Sequence, residues 1–226
     1  QQRSMGNGFI RFIKKSILSV IYSTNENCII CNSENVDEKL ICSRCLKKIE
    51  HINKSFSIEK DNMDFQCFSA AYYSTIISEL VKKLKYKSDF LSGEFLGSLL
   101  IDLINMNSID YDLISYIPMT RKGLRQRGFN QSKFLASIIA ENFNVKLRDI
   151  LSKSRETKDQ IGLDDEGRWQ NLSSCFKVKN KNIIINKKIL LIDDVITTGA
   201  TAFYCSEQLI KNGAKKVTIL TVAKSR

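Results

Sequence analysis

Residues 190–201 read LLIDDVITTGAT, an apolar run closed by two adjacent carboxylates, Asp193 and Asp194, and then by three threonines and a glycine. An uninterrupted apolar run suits a strand buried on both faces of a parallel sheet, and it predicts a strand at 189–192. Such a strand delivers the acidic pair to the carboxyl edge of the sheet, where open α/β folds hold their ligands. Carboxylates accept hydrogen bonds from the vicinal hydroxyls of a ribose. The turn that follows, Thr197, Thr198, Gly199, Ala200 and Thr201, opens a helix whose unpaired amides and dipole favour a phosphate. The spacing therefore places ribose first and a 5′-phosphate next. A strand that merely ends in a helix-capping Asp accounts for one acid and one threonine, not for the set. No G-x-x-x-x-G-K-[ST] occurs in the chain, which sets a nucleotide P-loop aside.

Working outward, the helix expected from about 200 to 211 stops at Gly213, and VTILTVA at 217–223 follows as a strand. That is a β-α-β unit. Strand signals precede it at 183–185 or 189–192. Further upstream, a strand at 112–117 runs into Pro118, the only proline, and into the most cationic stretch of the chain, with Arg121, Lys122, Arg125, Arg127 and Lys133. This stretch reads as a loop that closes into a helix, with Asn130 as N-cap and Leu135, Ile138 and Ile139 as the buried stripe. Cations thus converge on the sheet edge that carries the acidic pair. Phosphate is their natural partner, since guanidinium groups bind its oxygens through paired N–H groups.

A β-rich run, 66–74, precedes a helix with Ile77, Leu80, Val81 and Leu84 at helical spacing; its Lys82, Lys83, Lys85 and Lys87 read as a solvated basic face. A second helix is expected at about 90–105. Residues 152–171 are polar and turn-rich, the composition of a lid or binding loop.

Near the N-terminus, Cys28, Cys31, Cys42 and Cys45 form two C-x-x-C knuckles, the signature of a structural zinc site in a reducing compartment. His51 reads as a solvated polar residue rather than a further ligand. Cys67, Cys175 and Cys205 read as small core hydrophobes. Residues 9–21 place Ile10, Ile13, Ile17 and Ile21 on one helical stripe, expected to pack on the protein's own core. These signals divide the chain into an N-terminal helix (1–24), a zinc ribbon (25–58) and an α/β domain (64–226).

At 226 residues and 43% hydrophobic content, the chain is long enough for one α/β domain plus a small appendage. No apolar run reaches the length of a transmembrane segment, and no signal peptide is visible, so the expected compartment is the cytoplasm. The net charge of +11 calls for a polyanionic partner or serves solubility; charge alone does not separate nucleic acid from a small polyphosphate.

LLIDDVITTGAT resembles the phosphoribosyl pyrophosphate (PRPP) binding motif of type I phosphoribosyltransferases. Together with the four-cysteine ribbon, LKY at 84–86, IPM at 117–119, RGFNQS at 127–132 and the series Arg155, Thr157, Gln160, Leu163, Arg168 and Asn171, it makes nearly the whole chain resemble the ComF family of competence proteins. That family pairs a zinc ribbon with a type I phosphoribosyltransferase domain, an α/β fold with a parallel sheet flanked by helices. One departure is Asn32, where the family commonly has glycine.

The resemblance implies that Asp193 and Asp194 hold the ribose hydroxyls and act as the catalytic pair, and that Thr197, Thr198, Gly199, Ala200 and Thr201 hold the 5′-phosphate. It implies pyrophosphate contacts from Pro118, Met119 and Thr120, with Arg127 and Lys133 beside them. Residues 152–171 would close as a mobile loop, bringing Arg155 or Arg168 to the ligand. Mg²⁺ would accompany the pyrophosphate. Two roles follow: a PRPP-binding competence protein that handles single-stranded DNA in natural transformation, with competence-machinery proteins as partners, or an active Mg²⁺-dependent phosphoribosyltransferase of nucleotide metabolism or salvage.

Overall fold

The computed structural model describes residues 27–34, 40–52, 54–154, 172 and 175–226. The helix expected at 9–21 lies outside them. The chain divides into two compact units between Lys48 and Ile49. In the first, the described residues include one short helix, α1 (Ser43–Leu46).

The second unit runs β1 (Phe56–Lys60), β2 (Met63–Tyr72), α2 (Thr75–Lys87), α3 (Phe90–Asn107), β3 (Leu113–Tyr116), α4 (Arg121–Arg127), α5 (Gln131–Asn142), β4 (Leu151–Lys153), β5 (Phe176–Val178), β6 (Lys188–Ile196), α6 (Ala200–Lys211) and β7 (Lys216–Lys224). Five strands form one sheet in the order β1-β2-β7-β6-β3. Within it β2, β7, β6 and β3 are parallel, and β1 joins β2 as an antiparallel hairpin. β1 begins at Phe56, so the end of the segment expected to be ribbon belongs to this sheet. β4 and β5 pair separately, so the polar stretch expected as loop from 152 begins as strand. Residues 183–185 carry no strand; a 3₁₀ turn at Lys181–Ile183 leads into β6 instead.

Period-two alternation sorts the central strands between two layers. Ile189, Leu191, Val217 and Ile219 share one apolar cluster with Phe203 and Leu209 of α6. The intervening Leu190, Ile192, Leu220 and Val222 are equally buried. The helices α3 and α5 meet so closely that a Cβ on Gly97 would lie 2.8 Å from Ile138 Cδ1. Larger residues there would force the pair apart.

The site depends on one mismatch of strand lengths. β6 runs to Ile196, past the end expected at 192, because β7 keeps pairing with it through Asp193↔Thr221, Val195↔Ala223 and Ile196↔Lys224. β3 stops earlier, at Tyr116 opposite Ile192, and its last bond to β6 is Ile117 N–H to the Ile192 carbonyl at 3.0 Å. The next residue is Pro118, which has no N–H with which to continue the ladder. Asp193 and Asp194 are therefore the first residues of β6 beyond its paired register with β3, held on the other side by β7.

Candidate functional site

The side chains of the acidic pair are fastened by two other segments, α5 and α2. Asp193 Oδ1 accepts hydrogen bonds from the Ser132 hydroxyl of α5 at 2.8 Å and from the Asp194 N–H at 2.9 Å. Asp194, only 4% exposed, has its Oδ2 2.9 Å from Lys85 Nζ of α2. The two acids are thus unequal. Burial, reinforced by the charge of Asp194, pushes the Asp193 carboxyl up to about 7, against the hydrogen bond from Ser132. Burial opposes charge on Lys85, but Asp194 and then Asp193 outweigh it and raise the ammonium above its ordinary value.

Lys85 does not belong to the solvated basic face in which its neighbours Lys82 and Lys87 lie exposed; its side chain is 21% exposed. The signal for this was present in the periodicity. Residues 77, 80, 81 and 84 define a stripe whose next position, eight residues from the first, is 85. Ser132 and Ile58 also escaped sequence reasoning: Ser132 gave no signal beyond its place in RGFNQS, and Ile58 gave none.

The turn after β6 places Thr197 in solvent, Thr198 half-buried and Gly199 and Ala200 in the core. Thr198 Oγ1 receives the Ala200 N–H at 3.4 Å, a long contact. Gly199 is required twice over. Its φ of +81° is one that L side chains rarely adopt, and a Cβ there would lie 2.7 Å from Ile58 Cδ1. Thr201 is half-buried in the first turn of α6, where helix amides lack intrahelical partners.

Opposite the pair, Pro118 is buried while Met119 and Thr120 are half-buried. The stretch expected as a cationic loop contains a seven-residue helix, α4, and the reason is local. Thr120 Oγ1 caps the Gly123 N–H at 3.0 Å, and Gly128, at φ +84°, ends the helix in the left-handed region. Arg127 Nη1 donates to Gln131 Oε1 at 2.8 Å, with its guanidinium 5.5 Å from the centre of the Tyr86 ring. Lys133 is exposed, its ammonium 5.9 Å from the Tyr116 ring centre. Asn130 joins the loop to the sheet: Nδ2 donates to the Ile117 carbonyl and Oδ1 caps Lys133 N–H, both at 3.0 Å. Arg155 and Arg168, with most of the segment 152–171, lie outside the described residues. A groove of about 620 Å³, bordered by Gln66, Ile210 and Lys216, lies where β2 and β7 begin, away from these groups.

In the first unit, the ligand atoms of Cys28, Cys31, Cys42 and Cys45 all lie within 4.8 Å of one another. A tetrahedral zinc thiolate site has sulfur atoms about 3.8 Å apart, from metal–sulfur bonds of about 2.3 Å. Cys31 Sγ and Cys42 Sγ stand at 3.7 Å, so the cluster fits a metal such as zinc. Hydrogen bonds from Ser33 and then Arg44 draw the Cys31 thiol down to about 5, whereas burial pushes Cys45 up to about 12. Asn32 occupies φ +54°, the left-handed position that a knuckle ordinarily gives to glycine and that Asn tolerates. His51 is exposed and makes an isolated bridge to Ala71. Cys67, Cys175 and Cys205 are wholly buried.

Comparison with known proteins gives consistent matches. A family profile described as the phosphoribosyl transferase domain matches residues 130–226. The chain is similar to Competence protein F of Haemophilus influenzae, 27% identical with 97% of this chain and 91% of that protein covered. It is 22% identical to the DNA utilization protein YhgH of Escherichia coli K12, over 85% of this chain and 87% of that protein. Competence protein ComFC of Streptococcus pneumoniae is 25% identical, with 91% of each covered.

Proposed function

We propose, for a chain that belongs to the ComF family and has the type I phosphoribosyltransferase fold, that the carboxyl edge of β6 binds PRPP. The observation that carries this reading is the acidic pair in the gap left by β3, followed at once by the Gly199 turn. Asp193 and Asp194 accept the ribose 2′- and 3′-hydroxyls. The turn from Thr197 to Thr201 takes the 5′-phosphate on its amides and hydroxyls. The pyrophosphate then points toward Pro118, Met119 and Thr120, with Arg127 and Lys133 supplying positive charge. Mg²⁺, when bound with the ligand, neutralises pyrophosphate oxygens. Zinc held by the four cysteines serves the ribbon structurally, because four thiolates close a tetrahedral site.

Isothermal titration with PRPP and Mg²⁺ tests the site. Asp193→Asn with Asp194→Asn should abolish binding, since neutral amides lose the charge-assisted acceptors. Undiminished affinity in that variant would remove the assignment. In transfer, the C1–O bond to pyrophosphate breaks with the electron pair leaving on pyrophosphate, an acceptor nitrogen bonds to C1 in its place and gives up its proton, and the carboxylates stabilise the positive charge that develops at C1. Release of pyrophosphate across a panel of bases and amines reads out this step, and a flat panel leaves the protein a binder.

A role in competence or DNA utilization, the words in its relatives' names, draws on a second observation. Tyr86 is 72% exposed, with exposed Lys82 and Lys87 on the same helix and the Arg127 guanidinium of α4 5.5 Å from its ring centre; Arg121, Lys122 and Arg125 of α4 are exposed as well. Exposed aromatic rings among cations suit single strands, whose bases stack and whose phosphates pair. Affinity for a single-stranded oligonucleotide should fall steeply with salt and weaken on Tyr86→Ala; salt-insensitive or absent binding counts against this role.

A further inference from the structure

We propose that Lys85 is a positioning residue for the sugar phosphate site, holding Asp194 as an aimed carboxylate so that the acidic pair meets the ligand in its charged form. This rests on the reading that the pair binds ribose hydroxyls.

The geometry is specific. Lys85 comes from α2, far in sequence from β6, and spans to Asp194 Oδ2 at 2.9 Å. Asp194 is 4% exposed, and a buried carboxylate without a cation beside it takes up a proton instead of carrying charge. Asp193 lies next to it on β6 and competes for the same ionisation, since two adjacent acids resist being charged together. Among the described residues, the charged groups that bear on this arrangement are these. Asp193 faces Asp194 and Lys85, with the Cys205 thiol of α6 within electrostatic reach; Lys85 also feels Arg127 of α4, which works against its charge.

A protonated carboxyl presents a donor where a ribose hydroxyl needs an acceptor. Loss of Lys85 would thus weaken the ligand without any contact between the lysine and the ligand. Ser132 supports the other acid through its hydroxyl, so each carboxylate has its own fastening. The neighbouring Tyr86 turns outward to Arg127, which gives consecutive residues of α2 opposite duties.

Lys85→Met, Lys85→Arg and Lys85→Met with Asp194→Asn would be compared with the wild-type chain. The double variant removes both members of the Lys85–Asp194 ion pair and serves if the single methionine variant fails to fold. Carbon-13 NMR of the Asp193 and Asp194 carboxyls should show the pair of Lys85→Met losing its last proton about one pH unit higher or more, and Lys85→Arg restoring the wild-type titration. PRPP affinity of Lys85→Met should fall about tenfold at pH 7, a factor that corresponds to one pH unit of displaced ionisation, and recover toward wild type at pH 9. In the double variant, affinity should match that of Asp194→Asn alone.

An unmoved carboxyl titration overturns the proposal. So does a loss of affinity equal at pH 7 and pH 9, which marks a direct phosphate contact or a packing role. If wild-type protein binds no PRPP, the sugar phosphate reading falls, and the carboxyl titration still decides what Lys85 does to the pair.

Discussion

The acidic pair and the cysteine cluster are both gatherings of groups that repel one another when charged, and the chain balances them in opposite ways. The cysteine cluster draws its thiols from 28–45, two short knuckles, and its geometry fits a metal from outside as the species that would reconcile four thiolates. The acidic pair draws on residues around 85, 132 and 193, and its balancing cation is Lys85, supplied by the protein itself. A local cluster can wait for its counter-charge to arrive. A cluster assembled by tertiary folding must bring the counter-charge with it, because the buried acid is present whether or not a ligand comes.

That contrast breaks most visibly at the metal. Chelation should release about one zinc per chain, measured by elemental analysis, and should unfold the ribbon, since structural zinc contributes on the order of 10 kcal/mol to domains of this kind. Amides of residues 40–48 that stay protected from hydrogen exchange in metal-free protein would show that the cluster holds itself together.

A smaller effect probes the pre-built site. Gly199→Ala combines a left-handed residue, costing about 1–2 kcal/mol, with a methyl group pressed on Ile58. Thermal denaturation should register both parts. Measured against Ile58→Ala alone, which carries its own cavity cost, adding Gly199→Ala should cost only the backbone part, the clash being gone. A double variant as stable as Ile58→Ala would mean that φ at this turn relaxes freely.

The pH dependence of stability distinguishes a balanced pair from an unbalanced one. The Asp193 carboxyl is raised from 3.8 to about 7 on folding, so between those values the unfolded chain has given up a proton that the folded chain keeps. Its contribution is favourable below about pH 4 and is lost as pH rises through about 7. Asp193→Asn should therefore flatten this fall and leave the variant relatively more stable than wild type at pH 8, by denaturant titration. An unchanged pH profile would place Asp193 in a solvated, ordinary state.

The smallest expected change is Asn130→Ala, which removes both the cap on α5 and the tie to the Ile117 carbonyl; about 1–2 kcal/mol of stability should go with it. A loss this modest with intact PRPP affinity would separate the scaffold from the ligand contacts.

Much of this architecture was legible because the signals were local. An apolar run and a terminal pair of acids announce β6, Asn130 announces a helix start, and C-x-x-C spacing announces the cluster, each within a dozen residues. The cationic stretch has no apolar stripe and so reads as loop, but two short-range devices, the Thr120 cap and the left-handed Gly128, make part of it a helix. Lys85 reads as solvated by its charge, yet its helical phase points inward, and the buried Asp194 carboxylate gives the ammonium a partner there. Nothing local foretold Ile58 against Gly199, a contact between residues of the first and sixth strands' neighbourhoods.

By itself the sequence determined the kinds of chemistry present: thiolates at metal-binding spacing, carboxylates at a strand end, a glycine where the chain must turn. Those properties depend on residue identity and on neighbours a few positions away. The tertiary structure decided where β3 would stop short of β6, which acid Lys85 would neutralise and which Ser132 would hold. Those outcomes depend on strand register and on the approach of separate helices, and distance along the chain carries no information about either.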